Sequence, residues 1–222
     1  MTRLLDIIFS FFAIVLLLPF MIPIMILLKC TGEHDIFYGQ VRIGKGGRPF
    51  KVLKFATMLR DSPNMAGGLY TSKNDPRLLP MGKFLRKTKI NELPQLINIL
   101  LGQMSVIGYR PLVEKEYSRY SEYVKKSIMD CTPGLSGIGS IVFRNEEELL
   151  QKFESHEEKD RFYYETIMPY KGNLEVWYVN HKNVFTYFKL IILTIEAVIK
   201  GDCNWRKLKE IPKEPKELED FL

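Results

Sequence analysis

The chain of 222 residues carries 32 Lys and Arg against 26 Asp and Glu, a formal net charge of +6, and 46% of its residues are hydrophobic. This length and apolar content allow one core with an appendage and exclude two full-sized domains. The positive charge predicts a polyanionic neighbour such as phosphate, acidic lipid or nucleic acid, and three cysteines without a Cys-x-x-Cys spacing exclude a disulfide framework and a zinc site.

The first long feature is an apolar segment, Ile7 to Leu28, without a charged residue. At about 1.5 Å per residue it is long enough to cross a hydrocarbon core of about 30 Å. Pro19 and Pro23 lie inside it, and an interior proline removes a backbone hydrogen bond, so a kink or a break is expected there. The residues alone leave two outcomes, a kinked crossing helix and a helix that turns back. They favour crossing, because a turn within lipid leaves carbonyl groups without partners.

Basic residues follow the apolar segment, beginning with Lys29, whereas Arg3 is the one basic residue before it. By the positive-inside tendency, the larger C-terminal part is expected on the cytoplasmic side. Composition then divides the chain into three regions. These are a membrane anchor over residues 1–31, a cytoplasmic domain over 32–206, and a charged, flexible tail over 207–222.

Residues 36–58 alternate apolar and basic side chains around Gly44 to Gly47, which predicts a β-hairpin. The glycine run lacks the spacing of a nucleotide P-loop. Arg42 and Lys54 on this hairpin are candidates for contacts with phosphate or lipid head groups, and a solvated strand face is the alternative. Residues 61–80 are rich in Asn, Gly, Pro and Ser and predict a loop.

A helix is predicted in the middle of the chain. Apolar residues recur every three or four positions between Ile90 and Leu101, the spacing of an amphipathic helix with one buried face. Asn91 marks its start, Pro94 fits only a first turn, and Gly102 marks its end.

The start of this helix collects charged side chains. Glu92 follows Asn91 at the positive end of the helix dipole. Basic residues flank this point in the sequence: Arg86, Lys87 and Lys89 before it, and Arg110 after it. A carboxylate among cations at a helix start predicts a phosphate-binding site, and the alternative is a pair that only stabilises the helix.

The second half of the chain is mostly helical by pattern. Helices are predicted over residues 114–129 and 146–164, with a turn-rich connector over 131–137 between them. Residues 174–200 combine aromatic side chains with an apolar run too short to span a bilayer. This pattern predicts a helix that is interfacial or part of the core.

Six short motifs follow one another along the chain. They are Phe37-x-x-Gln40-x-Arg42-x-Gly44, Lys54-Phe55-Ala56-Thr57-Met58, Glu92-Leu93-Pro94-Gln95, Gly102-x-Met104-Ser105, Arg110-Pro111 and Pro133-Gly134-Leu135-Ser136-Gly137. In this order, and after an apolar run that follows Arg3-Leu4-Leu5-Asp6, they resemble the bacterial sugar transferase family. These are the monotopic phosphoglycosyl transferases that begin glycan assembly on a lipid carrier. The similarity runs from Arg3 to about Lys200.

The resemblance implies an α+β fold that is mostly helical. It also implies an N-terminal re-entrant membrane helix, broken at Pro19, which reverses the preference for a crossing helix. Both termini are then expected on the cytoplasmic face of the bacterial inner membrane, with amphipathic helices of the domain at the membrane surface. Pro19, Pro111, Pro133 and Gly134 are expected at structural turns.

The chemistry that the resemblance implies is transfer of a sugar 1-phosphate from a nucleotide diphosphate sugar to polyprenyl phosphate. In the family the aspartate of an Asp-Glu dyad attacks phosphorus and releases nucleoside monophosphate. The lipid phosphate then takes the phosphosugar, with Mg²⁺ offsetting the diphosphate charge. Glu92 occupies the dyad's glutamate position and is expected to be catalytic and to hold Mg²⁺. The expected phosphate-binding residues are Arg110, Arg42, Lys54, Arg86 and Lys89.

This chain departs from the family pattern at the dyad itself. The aspartate position is Asn91, and a carboxamide has no anionic oxygen to attack phosphorus. The other departures are Ala56 for a basic residue, Gln103 for aspartate, Tyr109 for proline, Tyr187 for aspartate, and Ile138-Gly139-Ser140 for Trp-Ala-Gln.

Three hypotheses about function follow from these departures. In the first, the chain is an active transferase in which Glu92 is the nucleophile, or in which the lipid phosphate attacks directly while Glu92 holds Mg²⁺. In the second, it is a non-catalytic relative that binds substrate or supports an active enzyme, as a homodimer or heterodimer. In the third, it is a membrane-surface protein that binds nucleic acid or acidic lipid. No motif supports the third, and no nucleic-acid partner is expected.

Overall fold

The computed structural model describes residues 2–62, 64–65, 75–153, 155–219 and 221. The described chain is an α+β fold that is mostly helical, as the sequence predicts. The α-helices are α1 (Thr2–Cys30), α2 (Gly82–Lys87), α3 (Gln95–Leu100), α4 (Glu114–Tyr117), α5 (Glu122–Ile128), α6 (Ile138–Val142), α7 (Glu146–Leu150), α8 (His156–Phe162), α9 (Met168–Asn180), α10 (Val184–Lys200) and α11 (Lys216–Glu219). The strands are β1 (Phe37–Ile43), β2 (Pro49–Phe55), β3 (Ser105–Ile107) and β4 (Gly134–Ser136).

Helix α1 is the candidate membrane anchor. Among the described helices it alone is long and apolar enough to span a bilayer, and only 11% of its most apolar window is buried. The helix continues through Pro19 and Pro23. Pro19 thus lies within α1, and the re-entrant break predicted there stays a prediction. A proline removes one N–H donor from the backbone hydrogen bonds of a helix, and the helix can continue through the hydrogen bonds of the surrounding residues.

The chain divides into two compact units. The first unit comprises residues 1–6, 42–50 and 102–222, and the second comprises residues 7–41 and 51–101. The predicted hairpin is confirmed as the two-stranded sheet of β1 and β2.

In the second unit, the C-terminal half of α1 packs against the residues that follow it. Met21 and Leu28 of α1 form a core with Phe55 of β2 and Leu85 of α2. These four side chains are buried. The apolar segment is thus attached to the folded chain by its own core and not only by the peptide bond at its end.

The predicted central helix begins later than its apolar pattern indicates. Lys89 is left-handed, with φ of 60°, and a 3₁₀ turn over Ile90–Glu92 follows it. Helix α3 starts at Gln95, with Pro94 as its N-cap residue. The prediction of a helix from Asn91 is corrected, because the N–H groups of Glu92 and Leu93 bond to carbonyl groups three residues back, as in a 3₁₀ turn, before α3 begins. Glu92 therefore lies on a turn before a short helix.

In the first unit, β3 and β4 pair in parallel, with Ser105 opposite Gly134 and Ile107 opposite Ser136. The prediction of a turn at Gly134 is corrected, since this residue begins a strand. Glycine is needed there because a Cβ would collide with the backbone of Gly108. Pro133 lies just before the strand, and its carbonyl oxygen accepts a hydrogen bond from Ser105 N at 2.8 Å.

Helix α9 is the buried centre of the first unit and packs against α5 and α6. Leu174 and Tyr178 are fully buried on it, and Tyr178 donates a hydrogen bond to the carbonyl oxygen of Ile107 at 3.0 Å. Helix α10 packs against α6 and β3. Its outer face carries exposed apolar side chains: Phe185, Phe188, Ile192, Ile195 and Ile199.

Two helices predicted as continuous are divided. Residues 114–129 form α4 and α5, and residues 146–164 form α7 and α8. The helix predicted for the apolar run that ends at Lys200 is confirmed as α10. Capping explains where α5, α8 and α10 begin. Their N-cap residues are Ser121, Ser155 and Asn183, whose side chains accept backbone N–H hydrogen bonds from the first turn.

The C-terminal residues lie against α9. Tyr170 donates to the carbonyl oxygen of Pro212 at 2.9 Å, and Trp177 Nε1 donates to that of Lys209 at 3.0 Å. Leu218 of α11 is fully buried. The segment that the charge pattern assigns to a flexible tail thus has buried anchors in this structure.

Asp6, near the start of α1, is buried in the first unit. Its Oδ1 accepts three hydrogen bonds: from Ser105 Oγ at 3.0 Å, from Val106 N at 2.9 Å and from Tyr187 Oη at 2.8 Å. A buried carboxylate needs such partners, because an unpaired one would carry the full cost of losing water. This carboxylate ties the start of α1 to β3 and α10.

Candidate active site

Glu92 lies at the end of the 3₁₀ turn that the left-handed Lys89 begins. Its backbone N–H donates to the carbonyl oxygen of Lys89 at 3.0 Å. Its Oε1 lies 3.7 Å from Lys54 Nζ, and both side chains are about one-fifth exposed, at 23% and 20%. The predicted carboxylate and one predicted phosphate-binding cation therefore form a partly solvated ion pair.

Asn91 lies beside Glu92 in the chain but is buried, at 5% exposure. Its Oδ1 is buried and has no hydrogen-bond donor among the described residues. A neutral amide tolerates this position far better than a carboxylate would, because burying an unpaired charge costs much more than burying an unpaired dipole. The position thus holds a carboxamide oxygen with unused acceptor capacity.

Asn98 of α3 fixes the strand that carries Lys54. Its Oδ1 accepts from Leu53 N at 2.9 Å, and its Nδ2 donates to the carbonyl oxygen of Lys51 at 2.8 Å. The carboxamide thus pairs with β2 as the peptide group of a neighbouring strand would. The sequence prediction missed this residue, although a buried polar residue within the apolar pattern of α3 was a visible signal.

Two further predicted cations belong to the same unit. Arg86 lies on α2, which packs against the 3₁₀ turn, and its Nη1 lies 3.8 Å from Met58 Sδ. Lys89 is exposed at the start of the turn. Both therefore lie in the segment that leads into Glu92.

The remaining predicted cations lie in the first unit. Arg42 Nη1 donates to the carbonyl oxygen of Pro111 at 3.2 Å and lies 3.7 Å from Glu116 Oε2. The Arg110 side chain is exposed. Its backbone N–H donates to Glu175 Oε1 at 3.3 Å. The structure therefore holds the Arg110-Pro111 motif from both sides, by Arg42 and by Glu175.

Glu175 is the buried carboxylate that sequence reasoning missed. It lies on α9 at 2% exposure. Burial raises its pKa to about 7, against the opposing effects of the Arg110 N–H and of the charges on Lys171 and Arg110. Among the described residues no hydrogen-bond donor reaches its Oε2. A charged residue at the apolar spacing of a buried helix was the signal for it in the sequence.

Few side chains near Glu92 could serve as ligands for Mg²⁺. Within the described ranges no group of three His, Cys, Asp or Glu side chains could hold a metal ion. Mg²⁺ commonly takes only one or two carboxylates from the protein and completes its shell with water and substrate phosphates. Glu92 supplies one such carboxylate, and Asn91, its neighbour in the chain, has an amide oxygen without a hydrogen-bond donor among the described residues.

Comparisons with known proteins agree with the site motifs. The bacterial sugar transferase family matches residues 1–201. An uncharacterized sugar transferase of Haemophilus influenzae is 31% identical over 90% of this chain and 41% of that protein. The UDP-galactose-lipid carrier transferase of Erwinia amylovora is 31% identical over 90% of this chain and 40% of that protein.

A third relative is named for a specific sugar. The UDP-glucose:undecaprenyl-phosphate glucose-1-phosphate transferase of Klebsiella pneumoniae is 37% identical over 72% of this chain and 35% of that protein. The chain thus matches about two-fifths or less of the length of these three relatives. Two of the three are named as transferases that act on a UDP-sugar and a lipid carrier.

Proposed function

Since the chain belongs to the bacterial sugar transferase family, we propose that it transfers a sugar 1-phosphate from a nucleoside diphosphate sugar to polyprenyl phosphate. This reaction begins a glycan of the exopolysaccharide, capsule or O-antigen type. The observation that carries the proposal is the Glu92–Lys54 ion pair, formed by two family motifs that are distant in sequence. The names of the relatives point to a uridine nucleotide. The comparisons give the non-catalytic alternative no support.

Glu92 is the catalytic carboxylate in this proposal. Asn91 cannot attack phosphorus, because its carboxamide oxygen carries no charge. Glu92 has an anionic oxygen 3.7 Å from the Lys54 ammonium group, which can also neutralise a phosphate oxygen as bonds change. In one route Glu92 attacks the sugar-linked phosphorus and nucleoside monophosphate leaves, and the lipid phosphate then displaces Glu92 to take the phosphosugar. In the other, the lipid phosphate attacks that phosphorus directly and nucleoside monophosphate leaves, while Glu92 would hold Mg²⁺.

Binding of the diphosphate falls to the cations and to a divalent ion. Glu92 and the Asn91 amide oxygen would hold Mg²⁺, which when bound supplies positive charge to the diphosphate oxygens. Arg86 and Lys89, in the same unit as Glu92, are proposed to bind phosphate oxygens there. In the first unit, Arg42 and Arg110 are separately proposed to bind a phosphate group. Of these, Arg110 presents an exposed guanidinium on a backbone that is held in place.

We propose a monotopic attachment, with both ends of α1 on the cytoplasmic face of the inner membrane. Asp6 ties the start of the helix to β3 and α10. Met21 and Leu28 tie its second half to Phe55. Each end is therefore held by chain that follows the helix, whereas a crossing helix would put Asp6 on the far side of the bilayer. Exposed apolar side chains on the rest of α1 would then contact lipid tails.

The outer face of α10 is proposed to lie at the membrane surface. The exposed side chains recur every three or four residues from Phe185 to Ile199. An apolar stripe of this kind suits the boundary between head groups and acyl chains. Within the same unit, Tyr187 of α10 donates a hydrogen bond to Asp6.

The test is release of nucleoside monophosphate from UDP-glucose, UDP-galactose and other nucleotide sugars, by purified protein with Mg²⁺ and polyprenyl phosphate. Glu92→Gln is the matched variant, because it keeps the side-chain shape and removes the charge. We expect release that depends on lipid phosphate and falls at least about 100-fold in the variant. Equal release by the variant would overturn the assignment of Glu92, and no release from any sugar would overturn the transferase.

The same preparation separates the two routes. A covalent intermediate through Glu92 predicts that labelled nucleoside monophosphate exchanges into the nucleotide sugar without any lipid acceptor. It also predicts an intact-protein mass increased by one phosphosugar. Direct attack predicts neither result, and product would then form only in the presence of both substrates.

A further inference from the structure

We propose that Glu175 is a positioning residue that holds the Arg110 backbone, and that the glycine at position 139 exists to leave room for its carboxylate. The proposal rests on the proposed role of Arg110 in binding phosphate. Arg110 would then present its guanidinium from a fixed main chain, although its own side chain is exposed. All of the residues involved lie in the first unit.

The backbone N–H of Arg110 is the last donor in a short series of hydrogen bonds that holds this part of the chain. Gly108 N donates to Ser136 O at 2.9 Å, and Gly134 N donates to Tyr109 O at 2.8 Å, so β4 holds the chain up to residue 109. Beyond that point Pro111 has no N–H to donate. Arg110 N therefore contributes the last donor before the proline, and Glu175 Oε1 accepts it at 3.3 Å.

The carboxylate that accepts the hydrogen bond from Arg110 N belongs to a buried helix. Glu175 lies on the largely buried helix α9, and Leu174 and Tyr178 on the same helix are fully buried. Such a helix moves little, because interiors are close-packed. A carboxylate that emerges from it gives Arg110 a rigid support, whereas a surface side chain would give a mobile one.

Gly139 borders the space that the Glu175 carboxylate occupies. A Cβ on Gly139 would lie 2.6 Å from Glu175 Oε1 and 3.4 Å from Glu175 Cδ. The colliding oxygen is the one that accepts from Arg110. Where the family pattern has alanine, this chain has glycine. A methyl group at 139 would therefore push the carboxylate away from Arg110 N, and a helix position that would otherwise favour alanine carries glycine.

The experiment measures hydrogen exchange of the Arg110 amide in micelles, in protein labelled with ¹⁵N-arginine, together with KM for the nucleotide sugar. Glu175→Ala and Gly139→Ala are expected to speed exchange at Arg110 about tenfold or more and to raise KM by a similar factor. Ser140→Ala, the next position on α6, is the matched control for Gly139→Ala and should change neither. Glu175→Gln keeps an acceptor oxygen and should stay within about threefold of the natural protein in both measurements.

A double-variant cycle separates positioning from general stability. If Glu175 acts through Arg110, Glu175→Ala raises KM in the natural protein but adds nothing in an Arg110→Ala background. An equal rise in both backgrounds overturns the proposal, and so does a Glu175→Gln variant as impaired as Glu175→Ala. Unchanged exchange at Arg110 in Glu175→Ala and Gly139→Ala also overturns it.

Failure of the underlying function gives a different result. If the protein turns over no sugar, the exchange measurement still decides whether Glu175 holds Arg110. If Arg110→Ala leaves KM unchanged, the phosphate-binding role of Arg110 is overturned, whereas loss of protection in Glu175→Ala would still establish the backbone contact.

Discussion

At positions 91 and 92 the chain places a neutral carboxamide beside a charged carboxylate. The two side chains differ in exposure as well as in charge, since Asn91 is buried and Glu92 pairs with Lys54 near solvent. Motif comparison could identify both positions but not this difference. Asn91 Oδ1 has no hydrogen-bond donor among the described residues. This depends on how the rest of the chain folds around Asn91, so the motif alone does not predict it.

Restoring the family aspartate should separate activity from stability. Asn91→Asp supplies an anionic oxygen, and we expect nucleoside monophosphate release to rise at least about tenfold through a covalent route. The same oxygen has no donor among the described residues, so we expect a loss of about 1 to 3 kcal/mol in the free energy of unfolding. Initial rates and urea unfolding check the two effects. Asn91→Ala is the control, and a gain in that variant would contradict the explanation.

Glu175 should make the stability of the fold depend on pH. Its pKa of about 7 in the folded state lies above the value of 4.5 for a free carboxyl. The folded state therefore holds the proton over a range where the unfolded state has lost it. The contribution of Glu175 to stability should be fully present below about pH 4.5 and be lost as the pH rises to about 7, by on the order of 3 kcal/mol. Urea unfolding at pH 5 and pH 8 measures the difference, and Glu175→Gln should remove this component.

The neighbours of Glu175 do not obscure that measurement. Lys171 and Arg110 carry the opposing charges. Burial raises the pKa of the weak acids nearby, so they stay neutral between pH 5 and pH 8; these are Tyr109, Tyr120, Tyr178 and Cys131. If the dependence of stability on pH were the same in Glu175→Gln as in the natural protein, the assignment to Glu175 would be contradicted.

Among the elements, the contact between β2 and α3 determines where Lys54 lies. Asn98→Leu removes both hydrogen bonds and leaves Leu53 N and Lys51 O without that partner. We expect a loss of about 2 to 4 kcal/mol in the free energy of unfolding, and a lower kcat, as Lys54 moves away from Glu92. Asn98→Asp keeps the acceptor for Leu53 N and should cost less than Asn98→Leu. The opposite order would contradict the two-bond account.

The position of α10 can be checked with a tryptophan probe. Ile192→Trp should be quenched by brominated lipids if the outer face of α10 lies in the bilayer surface. Gln151→Trp, at an exposed position of the same unit, is the control and should not be quenched. The two native tryptophans, Trp177 and Trp205, are buried and contribute equally to both samples. Equal quenching of the two variants would argue against an interfacial α10.

Local pattern predicted the elements better than their ends and partners. The hairpin of β1 and β2 has strong turn and alternation signals, and it was predicted. Strands β3 and β4 have three residues each and pair only after α4 and α5 have intervened, so no local signal predicts them. Similarly, Asn98 and Glu175 have partners 45 and 65 residues away. A polar residue within an apolar pattern can be recognised in the sequence, but the distant residue to which it forms a hydrogen bond cannot.

For the whole molecule, the prediction to check is that both termini lie on one side of the membrane. Thr2→Cys and Lys213→Cys, in a chain whose native cysteines are replaced, should both resist an impermeant maleimide until the inner membrane is opened. The tie between Asp6 and α10 is the physical reason. Labelling of Thr2→Cys from outside in intact cells would restore a crossing helix.

The hydrogen bond between Asp6 and Tyr187 also determines when, during protein synthesis, the start of α1 can take its final place. The two residues are 181 positions apart in the chain. At about 5 to 20 residues per second, a ribosome needs on the order of ten to forty seconds to make the intervening chain. Throughout that interval the Asp6 carboxylate lacks its tyrosine partner and is best solvated by water. The front of the membrane helix would therefore stay at the water interface until α10 has been synthesised, and the final docking of the anchor would follow translation.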